Sequence, residues 1–490
     1  MSDLTIENKG DIAAFQNAAD VIVVGYGIAG ACAALEARRL GGDVLVVERA
    51  SAGGGASAIS SGLFYLGSGT AVQQACGYQD DPENMYRYMI ASMGSESAAM
   101  IRRYCDDNVE HFNWLEAQGV PFERSCFKGK AVFLLSTEGL LSTGNEKLWP
   151  YSEIARPVPR GHQVAGEGES TGNAAMIPLL ARCKEEGVRA SYDSRVLGLV
   201  VDDGGKICGV KVRRTGETLY FSARSGVMLA TGGFSMNKDM IAKYLKTLSP
   251  TAEPLGIPYT DGSGIVLGEL AGGKTESMDQ FIATASIYPP GQLIKSIIVN
   301  AGGRRFVAED SYHGRTAAFI SEQQGQRAYL IVDAGIFAYP EIDTAGHELI
   351  DGYETVEEME RSLAMPKGSL VATLLRYSEC ARAGHDPDFM KAGEWIKPLD
   401  QSPYAAFDIS FSRSIYLYMT LGGLKTNECA QVLGSDNRPI PGLYAAGACT
   451  VHIPRSGKSY NSGMSLGPGS YFGRVAGREM MTAKYLVQER

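Results

Sequence analysis

The stretch Asp20–Ala50, DVIVVGYGIAGACAALEARRLGGDVLVVERA, constrains this chain more than any other. Val21–Val24 is a continuous apolar run of the kind that forms a buried parallel strand. Gly25, Gly27 and Gly30 then spell G-x-G-x-x-G. A helical stretch follows to about Leu40, and a second apolar strand, Val44–Val47, ends on Glu48. Gly25 permits a tight turn, Gly27 lets backbone N–H groups approach a pyrophosphate, and Gly30 allows close helix–strand packing. The helix N-terminus attracts the phosphate charge. Glu48 stands about twenty residues downstream, where an acid accepts hydrogen bonds from ribose hydroxyls. A glycine triplet alone also fits an ordinary βα turn. Strand, helix, second strand and acid in register point to a dinucleotide site.

A chain of 490 residues can bury a large core and hold more than one domain. The net charge of −9 argues against nucleic acid as the main partner. Met1–Ala19 lacks a basic region followed by an apolar core, so no secretory signal is expected. No apolar run approaches the ~18–20 residues of a membrane helix, so no integral membrane segment is expected. The nine cysteines form no C-x-x-C and read as reduced thiols. The six histidines show no metal-binding spacing, so no metal is expected. A cytoplasmic protein is the expectation. The 59 glycines, roughly 12% against a usual ~7%, lie in clusters. Such clusters suggest several close backbone approaches to a large cofactor.

After the first unit, the Gly/Ser-rich stretch Ala52–Gly69 reads as a loop folded over that cofactor. Asp81–Gln118 and Asn173–Glu186 read as helical. Arg195–Asp202 and Lys206–Arg213 read as paired strands across Asp203-Gly204-Gly205. Ser225–Phe234 is another apolar strand ending in a Thr-Gly-Gly turn, and Tyr259–Gly273 is a turn entering a helix. Between about Tyr288 and Thr420, Pro, Tyr and charged residues increase, which reads as an inserted domain. The first pattern then resumes, with a strand in IPGLYAAGA and a closing helix over Tyr471–Gln488. The fold class is therefore α/β, with a discontinuous Rossmann-type domain (1–286 and 420–490) carrying an α+β cap (287–419). One fingerprint implies one dinucleotide, and the dispersed turns at Thr231-Gly232-Gly233 and Ala446-Gly447 fit an extended FAD better than NAD.

Four ordered segments, ATGGF (Ala230–Phe234), YTDGSG (Tyr259–Gly264), NAGGRRF (Asn300–Phe306) and PIPGLYAAG (Pro439–Gly447), resemble the markers of the fumarate reductase / 3-ketosteroid dehydrogenase flavoproteins over essentially the whole chain. The resemblance implies a glutathione-reductase-like FAD domain, a flavin ring at its interface with the cap, and paired hydride and proton transfer across a C–C bond beside an activating group. It implies FAD contacts from Gly25, Gly27, Ala29, Gly30, Glu48, Arg49, Gly55, Ala56, Ser57, Val196, Ala230, Thr231, Gly232, Asp261, Gly447, Ser465 and Leu466. Ser465–Gly467 reads as the start of the last helix, whose N–H groups stabilise charge on the reduced flavin. Asp261 also reads as a turn residue, and His452 and Arg455 read as surface loop residues, with Arg455 possible at the pocket mouth.

Fumarate reductase-like members clamp a dicarboxylate with a His in T-H-G-G and an Arg in N-R-L-G-G, and a second Arg delivers the proton. Here the first segment is Thr420-Leu421-Gly422-Gly423, and the clamping Arg falls on Tyr460. The proton-delivering Arg falls near Tyr312-His313. A carboxylate would lose its bidentate partners, a loss on the order of several kcal/mol. These replacements resemble the ketosteroid branch, and KSYNSG with EDSYHGR looks like the 3-ketosteroid Δ4-(5α)-dehydrogenases. The catalytic candidates are Tyr460, donating to a C3 ketone, Ser462, accepting the C4 proton, and Tyr312, relaying it, with His313 as the second candidate for the cap position. The C5 hydrogen leaves as hydride to flavin N5. The expected partners are a small apolar ketone and an electron acceptor that the sequence does not identify. Three alternatives stay open: reduction of an enone or unsaturated acid, C1–C2 desaturation, and a flavoprotein used only for electron transfer.

Overall fold

The computed structural model describes residues 3–132, 134, 136–166, 170–285, 287–288, 290–341 and 347–488. Strand β1 (Thr5–Asn8) precedes β2 (Asn17–Val24), helix α1 (Ile28–Arg39) and β3 (Val44–Val47). Val21–Val24 and Val44–Val47 are buried throughout, because helices cover one face of the sheet and the rest of the core covers the other. Helix α2 (Gly172–Glu185) leads into β4 (Arg189–Ser191), which pairs parallel to β3. The antiparallel hairpin of β5 (Ser194–Val201) and β6 (Ile207–Arg214) then feeds the long strand β7 (Glu217–Leu229).

The first half of β7 pairs antiparallel with β6, and its second half runs parallel to the carboxyl-terminal strand β8 (Pro439–Ala445). Along most of its length it is also parallel to β2. The chain's two ends therefore meet in one nine-stranded sheet. The closing helix α3 (Leu466–Gln488) packs along α1, where Gly473 and Gly477 bring the two backbones into contact.

The segment expected as the cap holds a four-stranded antiparallel sheet, in the order Ile297–Asn300, Ala328–Asp333, Tyr404–Asp408, Glu348–Tyr353. A smaller sheet of Glu253–Pro254, Leu417–Thr420 and Phe281–Ala283 bridges the two sequence boundaries of that segment. Asp81–Gln118 is helical, as its sequence reads. It forms three helices, Pro82–Met93, Ala98–Asp106 and Asn108–Ala117. Gly94, at φ 88°, ends the first, and Asp107 separates the other two.

Four of the six histidines are buried: His111, His162, His313 and His452. Burial holds His162 and His452 near pKa 4, His313 near 3 and His111 well below its usual value. The unfolded chain takes up these protons near pH ~6.5, and the folded chain refuses them until near pH 4 or below. Stability is therefore present above that window and is lost as pH falls through it. Burial of Glu146 raises its pKa and works in the opposite sense. The thermal midpoint is expected to start falling near pH ~6.5 and to continue falling toward pH ~4. A midpoint that stays flat down to pH ~5 contradicts this assignment.

Candidate active site

One cavity of about 530 Å³ runs from the G-x-G-x-x-G turn to the cap. Gly25, Gly27, Ala29, Glu48, Arg49, Gly55, Ala56, Ser57, Val196, Ala230, Thr231, Gly232, Gly447, Ser465 and Leu466 all line it. Gly30 and Asp261 do not. A Cβ on Gly30 would lie 2.1 Å from the Gly25 carbonyl oxygen, so Gly30 works by packing helix against turn. Asp261 acts one step back from the wall. Its Oδ2 pairs with Arg49 at 2.5 Å, and its Oδ1 accepts from the Ser263 N–H. Burial raises its pKa, but Arg49 and Ser263 hold it below the usual carboxylate range.

The cavity fits FAD. Gly25 sits at φ 101°, and a Cβ there would come within 2.5 Å of the Ala230 carbonyl, so the two phosphate-facing turns nearly touch. The Glu48 carboxylate accepts from the N–H groups of Tyr26 and Ala50, both at 2.7 Å, which fixes it on the cavity wall. Thr231 stands on the same wall with its side chain against the Cys449 thiol. Gly30→Ala forces helix and turn apart. It is expected to weaken FAD binding by about 10- to 100-fold, read as the flavin-to-protein absorbance ratio after purification. A full flavin complement in that variant contradicts the packing argument.

Toward the cap, the cavity is lined by Tyr312, His313, Tyr460 and Ser462 together with Ile282, Thr284, Met419 and Thr420. Tyr312 caps the helix His313–Ser321, and its hydroxyl lies 2.8 Å from Ser462 Oγ. His313 does not make this contact. Its ring lies against the Tyr312 ring at 4.1 Å, and neither ring nitrogen has a partner. Burial and then the nearby Lys130 hold His313 near pKa 3, so it is neutral. Burial also raises Tyr312 well above the usual phenol value.

The Tyr460 hydroxyl lies 3.0 Å from Ser465 Oγ, which in turn lies 3.2 Å from His452 Nε2. His452 Nδ1 faces the Leu421 carbonyl, which can only accept. Nδ1 therefore carries the proton, Nε2 accepts from Ser465, and Ser465 is left to accept from Tyr460. Burial pushes Tyr460 up to about 12, and its hydrogen bonds with Ser465 limit the rise. The phenol stays protonated at neutral pH.

Two expectations need correction. His452 is not a surface residue: Leu421 and Ser465 enclose it at 7% exposure. Arg455 lines no part of the cavity and instead pairs with Glu276 at 2.7 Å. Burial raises Glu276, but hydrogen bonds from Lys425, Arg455 and Lys274 bring it to about 2. Among the described residues, no three His, Cys, Asp or Glu side chains are grouped to hold a metal. No helix among them is long and apolar enough to cross a membrane.

A doubly paired Rossmann sheet, a glycine-lined cavity for an extended dinucleotide and a hydroxyl pair at its far end define a flavin-dependent oxidoreductase. Residues 20–461 match the FAD binding domain family, and the chain belongs to it. It is an FAD-dependent oxidoreductase. Among solved structures it is similar to the 3-ketosteroid-delta4-(5alpha)-dehydrogenase from Rhodococcus jostii in complex with 4-androstene-3,17-dione, with 38% identity and a TM-score of 0.92, covering 98% of this chain and 100% of that one. It is 29% identical to the 3-oxo-5-alpha-steroid 4-dehydrogenase of Comamonas testosteroni, over 91% of this chain and 96% of that protein. It is also 28% identical to a probable fumarate reductase of Shewanella frigidimarina, over 93% of this chain and 74% of that protein.

Proposed function

We propose that this enzyme desaturates the C4–C5 bond of a saturated 3-ketosteroid. The observation that carries the reading is the 2.8 Å contact between Tyr312 and Ser462 in the cavity that Tyr460 also lines. The cavity favours a neutral, apolar ketone. Among the described residues, its only Arg or Lys side chains are Arg49 and Arg195, which pair with Asp261 and Asp3. Leu421 and Tyr460 stand where a dicarboxylate clamp would need His and Arg. The same reading takes 1–286 with 420–490 as the FAD domain and 287–419 as the cap, with the reaction at their seam. A cytoplasmic setting is supported by nine unpaired cysteines.

Rotation about its C–O bond turns the Tyr460 proton from Ser465 toward a C3 carbonyl oxygen. Donation there stabilises the charge that develops on that oxygen as the C4 proton leaves. Ser462 is a weak base alone. It accepts the C4 proton while passing its own to Tyr312, which releases one toward solvent. No resident phenolate is needed, and the raised value of Tyr312 means that none is present. Bound FAD supplies the two-electron acceptor for the C5 hydride.

The test is turnover of a saturated 3-ketosteroid carrying deuterium at C4, with a dye as electron acceptor. The expected product is the Δ4-3-ketone with one C4 deuterium lost. Retention of the C4 label with a new C1–C2 double bond would replace this reading with 1,2-desaturation.

A further inference from the structure

Tyr312 and Ser462 are 150 residues apart in sequence, yet both are tied to one short buried stretch, Thr143–Asn145. Asn145 Oδ1 accepts from the Tyr312 backbone N–H at 3.0 Å. The Thr143 carbonyl accepts from the Ser462 N–H, and Thr143 Oγ1 donates to the Ser462 carbonyl, each at 3.0 Å. Tyr88 closes the arrangement. Its hydroxyl receives the Asn145 N–H at 2.9 Å and Asn461 Nδ2 at 3.0 Å, and Asn461 immediately precedes Ser462. Hydrogen bonds thus run from Tyr312 through Asn145 and Tyr88 to Asn461, the chain itself joins Asn461 to Ser462, and the 2.8 Å hydroxyl contact closes the ring. Gly144 lets the stretch cross Asn461 directly, since a Cβ there would lie 2.6 Å from the Asn461 Cγ.

We infer that Asn145 and Tyr88 are positioning residues that hold the Tyr312–Ser462 pair at proton-transfer distance. The inference rests on the proton-relay role given to that pair above. Tyr88, Asn145 and Asn461 are all buried, so no water competes for these bonds. Two of the ring's bonds are made to backbone atoms of Tyr312 and Asn145, so the ring sets where the main chain lies. Tyr312 comes from the cap segment and Ser462 from the carboxyl-terminal segment; Arg315 to the Lys458 carbonyl and Lys458 to Glu322 also join these segments, but the ring ties them at Tyr312 and beside Ser462. Proton transfer depends steeply on the separation of the pair, and a misplacement of about 1 Å costs about 100-fold.

Tyr88→Phe removes the hydroxyl and keeps the ring, which packs edge-on against Tyr151 and under Arg160. Its expected effect is a kcat about 10- to 100-fold lower, with KM within about 2-fold and an unchanged flavin spectrum. Amide hydrogen exchange is expected to accelerate at both Tyr312 and Ser462. Tyr353→Phe is the control, since it deletes a 3.0 Å bond to Ser362 between residues that line no part of the cavity. If Tyr88→Phe matches this control in kcat and in exchange, the inference is overturned. Should Tyr88→Phe fail to fold, Asn145→Ser removes the Tyr312 acceptor and is held to the same kcat and KM criterion. A parent enzyme inactive on saturated 3-ketosteroids would instead sink the proposed function, while exchange at the two amides still decides whether the ring positions them.

Discussion

Tyr460→Phe is expected to lower kcat on a saturated 3-ketosteroid by about 100- to 1,000-fold, the range for losing one donor to a developing oxyanion. In the proposed mechanism the hydroxyl acts only on charge that appears as the C4 proton leaves, so KM should change little. The fold should tolerate the change. The ring stays buried, and Ser465 keeps its bond to His452. Rapid mixing of the flavin-loaded variant with substrate reads the rate of the chemical step directly. A loss below about tenfold would mean that another group carries the C3 oxygen.

Ser462→Ala and Tyr312→Phe are each expected to lower kcat by about 100- to 10,000-fold, as for loss of general base catalysis. In the proposed relay the two groups act as one unit across a 2.8 Å contact, so the double variant should be no slower than the slower single. Tyr312→Phe removes the hydroxyl that Ser462 bonds to, and Ser462→Ala removes the oxygen that Tyr312 bonds to. Losses that multiply in the double variant would show two independent roles and contradict the relay. His313→Asn serves as a contrast. His313 contacts Tyr312 by ring packing and has no bond to Ser462, so its loss should not reproduce the collapse in rate.

The dinucleotide half of the site is readable along the chain because its chemistry is local. The G-x-G-x-x-G turn, Glu48 and the Thr-Gly-Gly turn each consist of residues in sequence, and the sheet brings them to one wall. The choice between Tyr312 and His313 is not local in that sense. Tyr312 holds extended dihedrals as a helix cap and His313 begins the helix, so a one-residue step points the two side chains differently. That geometry is invisible in EDSYHGR alone. His452 reads as surface because its neighbours are loop residues, and it is buried by Leu421, 31 residues away. Thr143, Asn145 and Tyr88 carry no motif at all. Their contacts span 57 to 319 residues and exist only once the chain's segments have packed. Gly94 and Asp107 divide the helical stretch Asp81–Gln118 into three helices, and a single positive-φ glycine ends the first without changing the composition around it.

In the proposed reaction, one cavity joins bound FAD to a ketone at the Tyr460 and Ser462 end. Anaerobic mixing of the flavin-loaded enzyme with 5α-androstane-3,17-dione tests it most directly. The expected result is rapid loss of the oxidised-flavin absorbance together with growth of the conjugated enone band of the Δ4 product, in equal amounts. Absence of bleaching by this steroid, combined with reoxidation of the chemically reduced enzyme by fumarate, would contradict it.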